Sequence, residues 1–348
     1  MERRDLLRAA ALLPMAGLAG PSLAASGSSP VGPAALRPRG LGPGSRVALL
    51  APASNLEEDV AIEASAAFLR SLGYEVTLGA HLFRRNQYLA GTDEQRAADL
   101  NAAFRDPDLD GIVCLRGGYG AARLLPFLDF DALRRAPKVI LGYSDITAIL
   151  NAVYAHTGLI TFHGPIAATN LSPYALAAYD AILTTPTAPL ALAAPPPFEA
   201  GRGQVRRENR LQTFQPGVAE GVLVGGNLSL IASLVGTPYL PGFQDKILFL
   251  EDVYEAPYSI DRMLTQLWLA GVLDEIAGLV FGKFTDAEDS NNTFSVETVL
   301  RERTQPGTPC LRGLMIGHID DQAVVPVGAR VRLDATAQRL TLLEPAVA

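Results

Sequence analysis

With 348 residues, 49 % of them apolar and 19 % charged, the chain has the make-up of a globular protein with a large core, not of a disordered or fibrous one. A formal charge of −7 and the lack of clustered Lys and Arg exclude nucleic acid as a partner, because phosphate binding leans on such clusters. Four scattered histidines and two cysteines, Cys114 and Cys310, offer no metal-ligand spacing, so neither a metal nor a cofactor is expected. One disulfide is open to that pair, though a core of this size does not require it.

The N-terminus reads as a segment to be removed, with a short membrane anchor or a frayed tail as the competing reading. Glu2-Arg3-Arg4-Asp5-Leu6-Leu7-Arg8 sets paired arginines ahead of an apolar run from Ala9 to Leu18, and small residues follow near Ser22-Leu23-Ala24. We read residues 1–25 as a signal peptide of the twin-arginine type. The run is too short for the ~20 residues of a spanning helix, so no stable membrane insertion is expected after removal. Residues 26–44, rich in Pro and Gly from Pro30 onward, read as a tether.

From Arg46 the pattern alternates strand and helix. Strands are expected at Arg46–Leu50, Tyr74–Leu78, Gly111–Leu115 and Lys138–Leu141, with helices at Leu56–Leu72 and Thr92–Phe104. This predicts an α/β fold, a doubly wound parallel sheet over residues 45–184, with chemistry in the loops after Leu50, Leu115 and Leu141. Residues 185–216, with Ala194-Pro195-Pro196-Pro197 and Arg206-Arg207-Glu208-Asn209-Arg210, read as an interdomain connection. Regularity returns over 217–348, with strands at Val222–Val224, Ile247–Leu250, Leu279–Phe281, Leu314–Ile316 and Val331–Leu333. A helix is expected at Ile260–Leu273, and shorter ones at Leu228–Leu234 and Val296–Arg303. The second domain should be smaller, mixed, β-rich and barrel-like.

Three features carry chemistry. Lys138 to Thr147 is an apolar strand that stops at Gly142 and passes through Tyr143-Ser144-Asp145 into a helical pattern. That strand-to-helix turn would lift the Ser144 hydroxyl clear of the sheet and aim the Asp145 N–H at an oxyanion, as in a nucleophile elbow, although Ile146 replaces the second glycine. Ser is also a preferred helix cap, so a plain cap is the competing reading. Arg116-Gly117-Gly118-Tyr119-Gly120 follows a strand directly and could bare N–H groups to a ligand, Gly118 above all. A serine needs a base, and His318 and His163 are equal candidates by position. Glu251, at the end of an apolar strand, could orient either one, and a solvated strand-end acid is the bland alternative.

These motifs belong to a longer series. Arg116-Gly117-Gly118-Tyr119-Gly120, Gly142-Tyr143-Ser144-Asp145, Phe162-His163-Gly164-Pro165, Gly225-Gly226-Asn227-Leu228, Leu250-Glu251-Asp252 with Tyr258-Ser259-Ile260-Asp261-Arg262-Met263-Leu264, and Gly317-His318 before Val325-Pro326-Val327-Gly328 stand in order from Ser45 to Leu333. The series resembles the LD-carboxypeptidases, the muramoyltetrapeptide carboxypeptidase family of serine peptidases. The resemblance implies a two-domain fold and a triad of Ser144, Glu251 and His318, leaving His163 in a structural role. It implies oxyanion donors at Asp145 and Gly118 and a cleft between the domains. Gly117, Tyr119 and Asn227 would contact substrate; a substrate ending in a free carboxylate would be helped by a nearby cation, for which Arg116 is the candidate, with a solvated Arg116 as the alternative.

The implied reaction releases terminal D-alanine from murein tetrapeptides by cutting an L,D-peptide bond. The signal peptide would put this murein peptide substrate within reach in the periplasm, and a homodimer is expected. Two alternatives stand beside it: a hydrolase of peptide-nucleotide antibiotics of the microcin C immunity type, and a non-catalytic exported protein that binds a peptide or sugar.

Overall fold

The expected alternation is realised as a parallel sheet in the computed structural model, which describes residues 35–287 and 294–348. The signal-peptide segment lies outside the described residues. The first strands are Arg46–Leu50 (β1), Glu75–Leu78 (β2), Gly111–Cys114 (β3), Val139–Gly142 (β4) and Thr161–His163 (β5). They run parallel in the order β5-β4-β3-β1-β2. β3 and β4 are buried along their whole length, which is why they read as unbroken apolar runs and not as alternating ones.

Helices Asp59–Ser71 (α1), Asp93–Arg105 (α2), Phe130–Arg135 (α3) and Thr147–Thr157 (α4) connect these strands, and Pro173–Leu183 (α5) follows β5. Their ends are written locally. Thr92 and Gln95 close a capping box at the start of α2, Ser172 caps α5 ahead of Pro173, and α4 stops at Gly158 in the left-handed region. Because the chain runs outward from β1 to β2 and then back across to β3, a crevice opens at the carboxyl ends of β1 and β3.

The second sheet is formed by Leu190–Ala191 (β6), Gln212–Gln215 (β7), Val218–Asn227 (β8), Ile247–Val253 (β9), Gly278–Thr285 (β10) and Cys310–Arg312 (β11), then, after Val325–Val327 (β12), by Arg330–Asp334 (β13) and Arg339–Leu342 (β14). The strand order is β6-β14-β13-β8-β9-β10-β11-β7. Its centre, β8 to β11, is parallel, and its flanks are antiparallel. Helices Leu228–Leu234 (α6), Pro257–Leu269 (α7), Val272–Glu275 (α8) and Val296–Glu302 (α9) complete it.

The structure departs from the sequence reading in several places. Leu314–Ile316 is not a strand: the ladder ends after β11 at Gly313, which takes φ +104 where a β-carbon would stand 2.5 Å from the Arg210 carbonyl oxygen. The expected helix at Ile260–Leu273 begins earlier, at Pro257, and divides at Gly271, also left-handed. Residues 185–216 contribute β6 and β7 to the second sheet. The Pro-Gly tether packs from Leu36 onward, with Leu36 bridging Leu159 and Leu41 buried in the core. Cys114 and Cys310 are both buried free thiols.

The two sheets share a core. β12 leaves the second half to pair antiparallel with β5, Val325 opposite His163. One apolar cluster runs from Leu141 and Phe162 of the first sheet to Leu223 and Phe249 of the second. Across it, Asn151 of α4 donates to the Gly225 carbonyl at 2.9 Å, and Thr147 Oγ1 accepts the Asn227 N–H at 3.0 Å. Gly225 is required there, since a β-carbon would stand 1.9 Å from the Phe249 carbonyl oxygen.

Candidate active site

Ser144 sits where β4 ends. Tyr143 is extended, and Ser144 then takes φ +60 before the 3₁₀ turn Ser144–Ile146 leads into α4. A left-handed serine costs on the order of 1–3 kcal/mol and persists only where the surroundings impose it. Its hydroxyl makes no hydrogen bond among the described residues, and no side chain caps α4. The plain-cap reading is therefore not what the residue does. The half-buried hydroxyl is held out on a strained turn.

The glycine-rich loop after β3 lies against that turn. A β-carbon on Gly117 would stand 2.8 Å from Ser144 Cβ, so only glycine allows this approach. Gly118 is left-handed, at φ +104, and neither its N–H nor that of Gly117 has an acceptor among the described residues. The rest of the loop is tied down. Tyr119 N–H donates to Ser54 Oγ at 3.0 Å, and Ala121 N–H to Asp145 Oδ2 at 2.7 Å. Arg96, buried on α2, donates from Nη1 to the carbonyls of Gly120 and Pro52 and from Nη2 to Asp93.

Burial pushes the Asp145 carboxyl up to about 6, against the opposing pull of the Ala121 N–H and the Arg96 charge. Arg116 donates to the Asn55 carbonyl at 3.0 Å and lines a cavity of about 470 Å³ together with Arg85, Tyr88 and Ser54. Tyr119 is exposed and meets Tyr88 edge-on, ring centroids 5.8 Å apart.

Glu251 lies near the end of β9, register partner of Asn227 on β8, and is wholly buried. His318 Nδ1 stands 2.8 Å from Glu251 Oε2, the distance of an imidazole N–H donating to a carboxylate. Gly317, at φ +130, lets the chain pass close over that carboxylate. The His318 ring packs on Tyr143, centroids 4.7 Å apart, so the imidazole is carried to the residue that precedes Ser144. His318 also lines a cavity of about 260 Å³ with Tyr143, Tyr254, Asp286, Asp320 and Gln322. Ser144 and His318 are not hydrogen-bonded to each other, and such bonds are commonly long until substrate is bound.

Asn227 is fully engaged. Its Nδ2 donates to Asp252 at 2.8 Å, and its Oδ1 caps α6 by accepting the Leu230 N–H. Three groups that matter to the geometry escaped the sequence reading: the Asp145 side chain, Arg96 and Asn151. A charged or amide residue inside a helical pattern reads as a solvated face, and only the packing shows otherwise.

The parallels with known proteins extend over most of the chain. Its residues 47–164 match the model of the LD-carboxypeptidase N-terminal domain, and residues 220–333 match that of the LD-carboxypeptidase C-terminal domain. A probable murein peptide carboxypeptidase of Bacillus subtilis is 36 % identical over 319 residues, 89 % of this chain and 95 % of that protein. The muramoyltetrapeptide carboxypeptidase of Oxalobacter formigenes superposes with a TM-score of 0.72 at 32 % identity, covering 85 % of this chain and 98 % of that one. The microcin self-immunity protein MccF superposes at 0.81 with 26 % identity, covering 90 % and 100 %. The chain therefore belongs to the LD-carboxypeptidase family and is a serine-type carboxypeptidase, a hydrolase.

Proposed function

We propose that this hydrolase releases terminal D-alanine from murein tetrapeptides by cutting the L,D-peptide bond. The observation that carries the reading is the His318–Glu251 pair at 2.8 Å, packed on Tyr143 beside a left-handed Ser144. In this reading His318 Nε2 takes the Ser144 proton as Oγ attacks the scissile carbonyl carbon. Glu251 fixes the tautomer and steadies the imidazolium. The Asp145 and Gly118 N–H groups hold the oxyanion, and the proton then passes from His318 to the leaving amine of D-alanine. Water repeats the sequence on the acyl-enzyme.

Gly117 and Tyr119 line the approach, Asn227 holds the floor, and Arg116 meets the terminal carboxylate. The proposal includes export to the periplasm, which rests on the arginine pair and apolar run at the N-terminus. Among the described residues no helix is long and apolar enough to cross a membrane. It also includes a homodimer, for which exposed Trp268 and Leu269 at the end of α7 offer apolar surface.

The test is incubation of the purified mature protein with tetrapeptide and pentapeptide muropeptides and, in parallel, with an aminoacyl sulfamoyl adenosine, followed by mass analysis. Release of one alanine from the tetrapeptide, abolished in Ser144→Ala, is the expected result. Cleavage of the nucleoside conjugate alone would move the chain to the microcin-immunity reading, since MccF has been solved with aspartyl sulfamoyl adenosine.

A further inference from the structure

We propose that His163 is a positioning residue of this site, an uncharged imidazole whose Nε2–H serves as the second donor to the Glu251 carboxylate, behind the Glu251–His318 pair. The inference rests on the roles given to Glu251 and His318 above. Glu251 is wholly buried, and a carboxylate can accept from several donors. Its Oε2 has His318; its Oε1 is sealed from solvent with no partner. His163 Nε2 stands 4.0 Å from that oxygen, and both ring nitrogens of His163 are buried and unpaired. Three buried polar atoms on these two side chains are thus without a partner among the described residues.

Buried polar groups are nearly always satisfied, and here each lacks what the other offers. A shift of about 1 Å brings Nε2 and Oε1 to hydrogen-bond length, and the cost of leaving both buried and unpaired favours that shift in the free protein. The ring is already held for it: Phe249 and Tyr143 meet it edge-on, centroids 5.3 and 6.1 Å away. His163 also pairs with Gly142, two residues before Ser144, so it links the orienting acid to the nucleophile's strand.

Burial, reinforced by the His318 charge, pulls His163 down to about 3. It therefore donates without neutralising Glu251, whose charge is what steadies the His318 imidazolium. The other charged or titratable groups facing this assembly are the buried Asp252, which feels the Glu251 charge and is held by Asn227 and Ser229, the Tyr143 hydroxyl, Arg116, whose field reaches Tyr143, and Asp286 and Asp320 in the cavity wall. The variants below leave all of them in place.

The test reads His318 directly by NMR on ¹³Cε1-labelled histidine. His163→Phe keeps the ring volume and removes the donor; His163→Gln returns an N–H. With Oε1 bare, Glu251 holds the His318 proton more tightly, so His318 should titrate about one pH unit higher in His163→Phe and closer to wild type in His163→Gln. In turnover, kcat should fall about tenfold with KM unchanged, and the acid limb should move by the same pH interval. An unmoved His318 titration in His163→Phe, whether or not its Tm drops, overturns the proposal, as does a Gln variant no nearer wild type than Phe.

If the variants do not fold, the wild-type protein decides: His163 must be the neutral Nε2–H tautomer at pH 7, and an Nδ1–H or doubly protonated ring overturns the idea. Neither NMR measurement needs substrate. A chain that shows the shift but releases no D-alanine would keep this inference and lose the proposed reaction.

Discussion

The Asp145 carboxylate accepts the N–H of Ala121 at 2.7 Å, so the residue after Ser144 also holds the far end of the glycine-rich loop. The Ser144 turn and the glycine-rich loop are thereby fixed to each other by one buried acid. Asp145→Ala should release the loop and lower kcat about tenfold or more, the range of a misplaced oxyanion donor. Asp145→Asn keeps an acceptor and should retain most of the activity. Steady-state kinetics on both variants checks the contrast.

The same acid sets a pH dependence of stability. An Asp raised from 3.8 to about 6 binds its proton more tightly in the folded chain than in the unfolded one. Its contribution is therefore favourable at low pH and is lost as pH rises from about 4 through about 6, by on the order of 3 kcal/mol. Asp145→Asn has no such ionisation cost. Denaturant melts should show the Asn variant gaining on wild type between pH 4 and pH 7, and a gap that stays constant across that range would contradict the assignment.

Arg96 ties Gly120, Pro52 and Asp93 together from inside α2. Arg96→Met would leave two buried carbonyls short of a donor, while Asp93 keeps Arg123. The expected loss is about 3 kcal/mol in unfolding free energy, measured by urea titration. Arg96→Lys should recover only part of it, because a single ammonium cannot reproduce the planar fork.

Gly117 and Gly225 separate activity from folding. Gly117→Ala pushes a methyl into Ser144 Cβ and should cut kcat about a hundredfold in a folded protein. Gly225→Ala places a β-carbon inside the Phe249 carbonyl and should prevent soluble expression. Circular dichroism and kinetics on the first variant, and yield of the second, decide the matter.

The two thiols are buried, and burial raises each to about 12. Neither should react with a thiol reagent in the native state at pH 8; both should react on unfolding. Labelling followed by mass analysis, with and without urea, tests this.

β1, β3 and β4 were legible because each is a short apolar run buried in the sheet, whereas the three-residue β5 was not read, and the elbow was legible because β4 ends at a glycine just ahead of Ser144. Within the second half, β9, β10 and β13 were equally plain, but β6, β7 and β12 were not. Strands of two to four residues leave no period to count, and β12 pairs with β5 across more than 160 residues of chain. The competition between His163 and His318 was beyond sequence by position alone. Both precede or follow apolar runs, and what separates them is that one ring is sealed while the other reaches a cavity and Tyr143.

By itself, then, the sequence determined most of the longer elements, the glycine positions and the residue types that the chemistry requires, because those depend on neighbours along the chain. Tertiary structure brought together the His318–Glu251 pair that position left open and only the family resemblance implied, and it alone decided that Asp145 holds a loop and that Arg96 and Asn151 face inward. Those facts depend on which groups lose water together, and desolvation is a property of packing, not of sequence order.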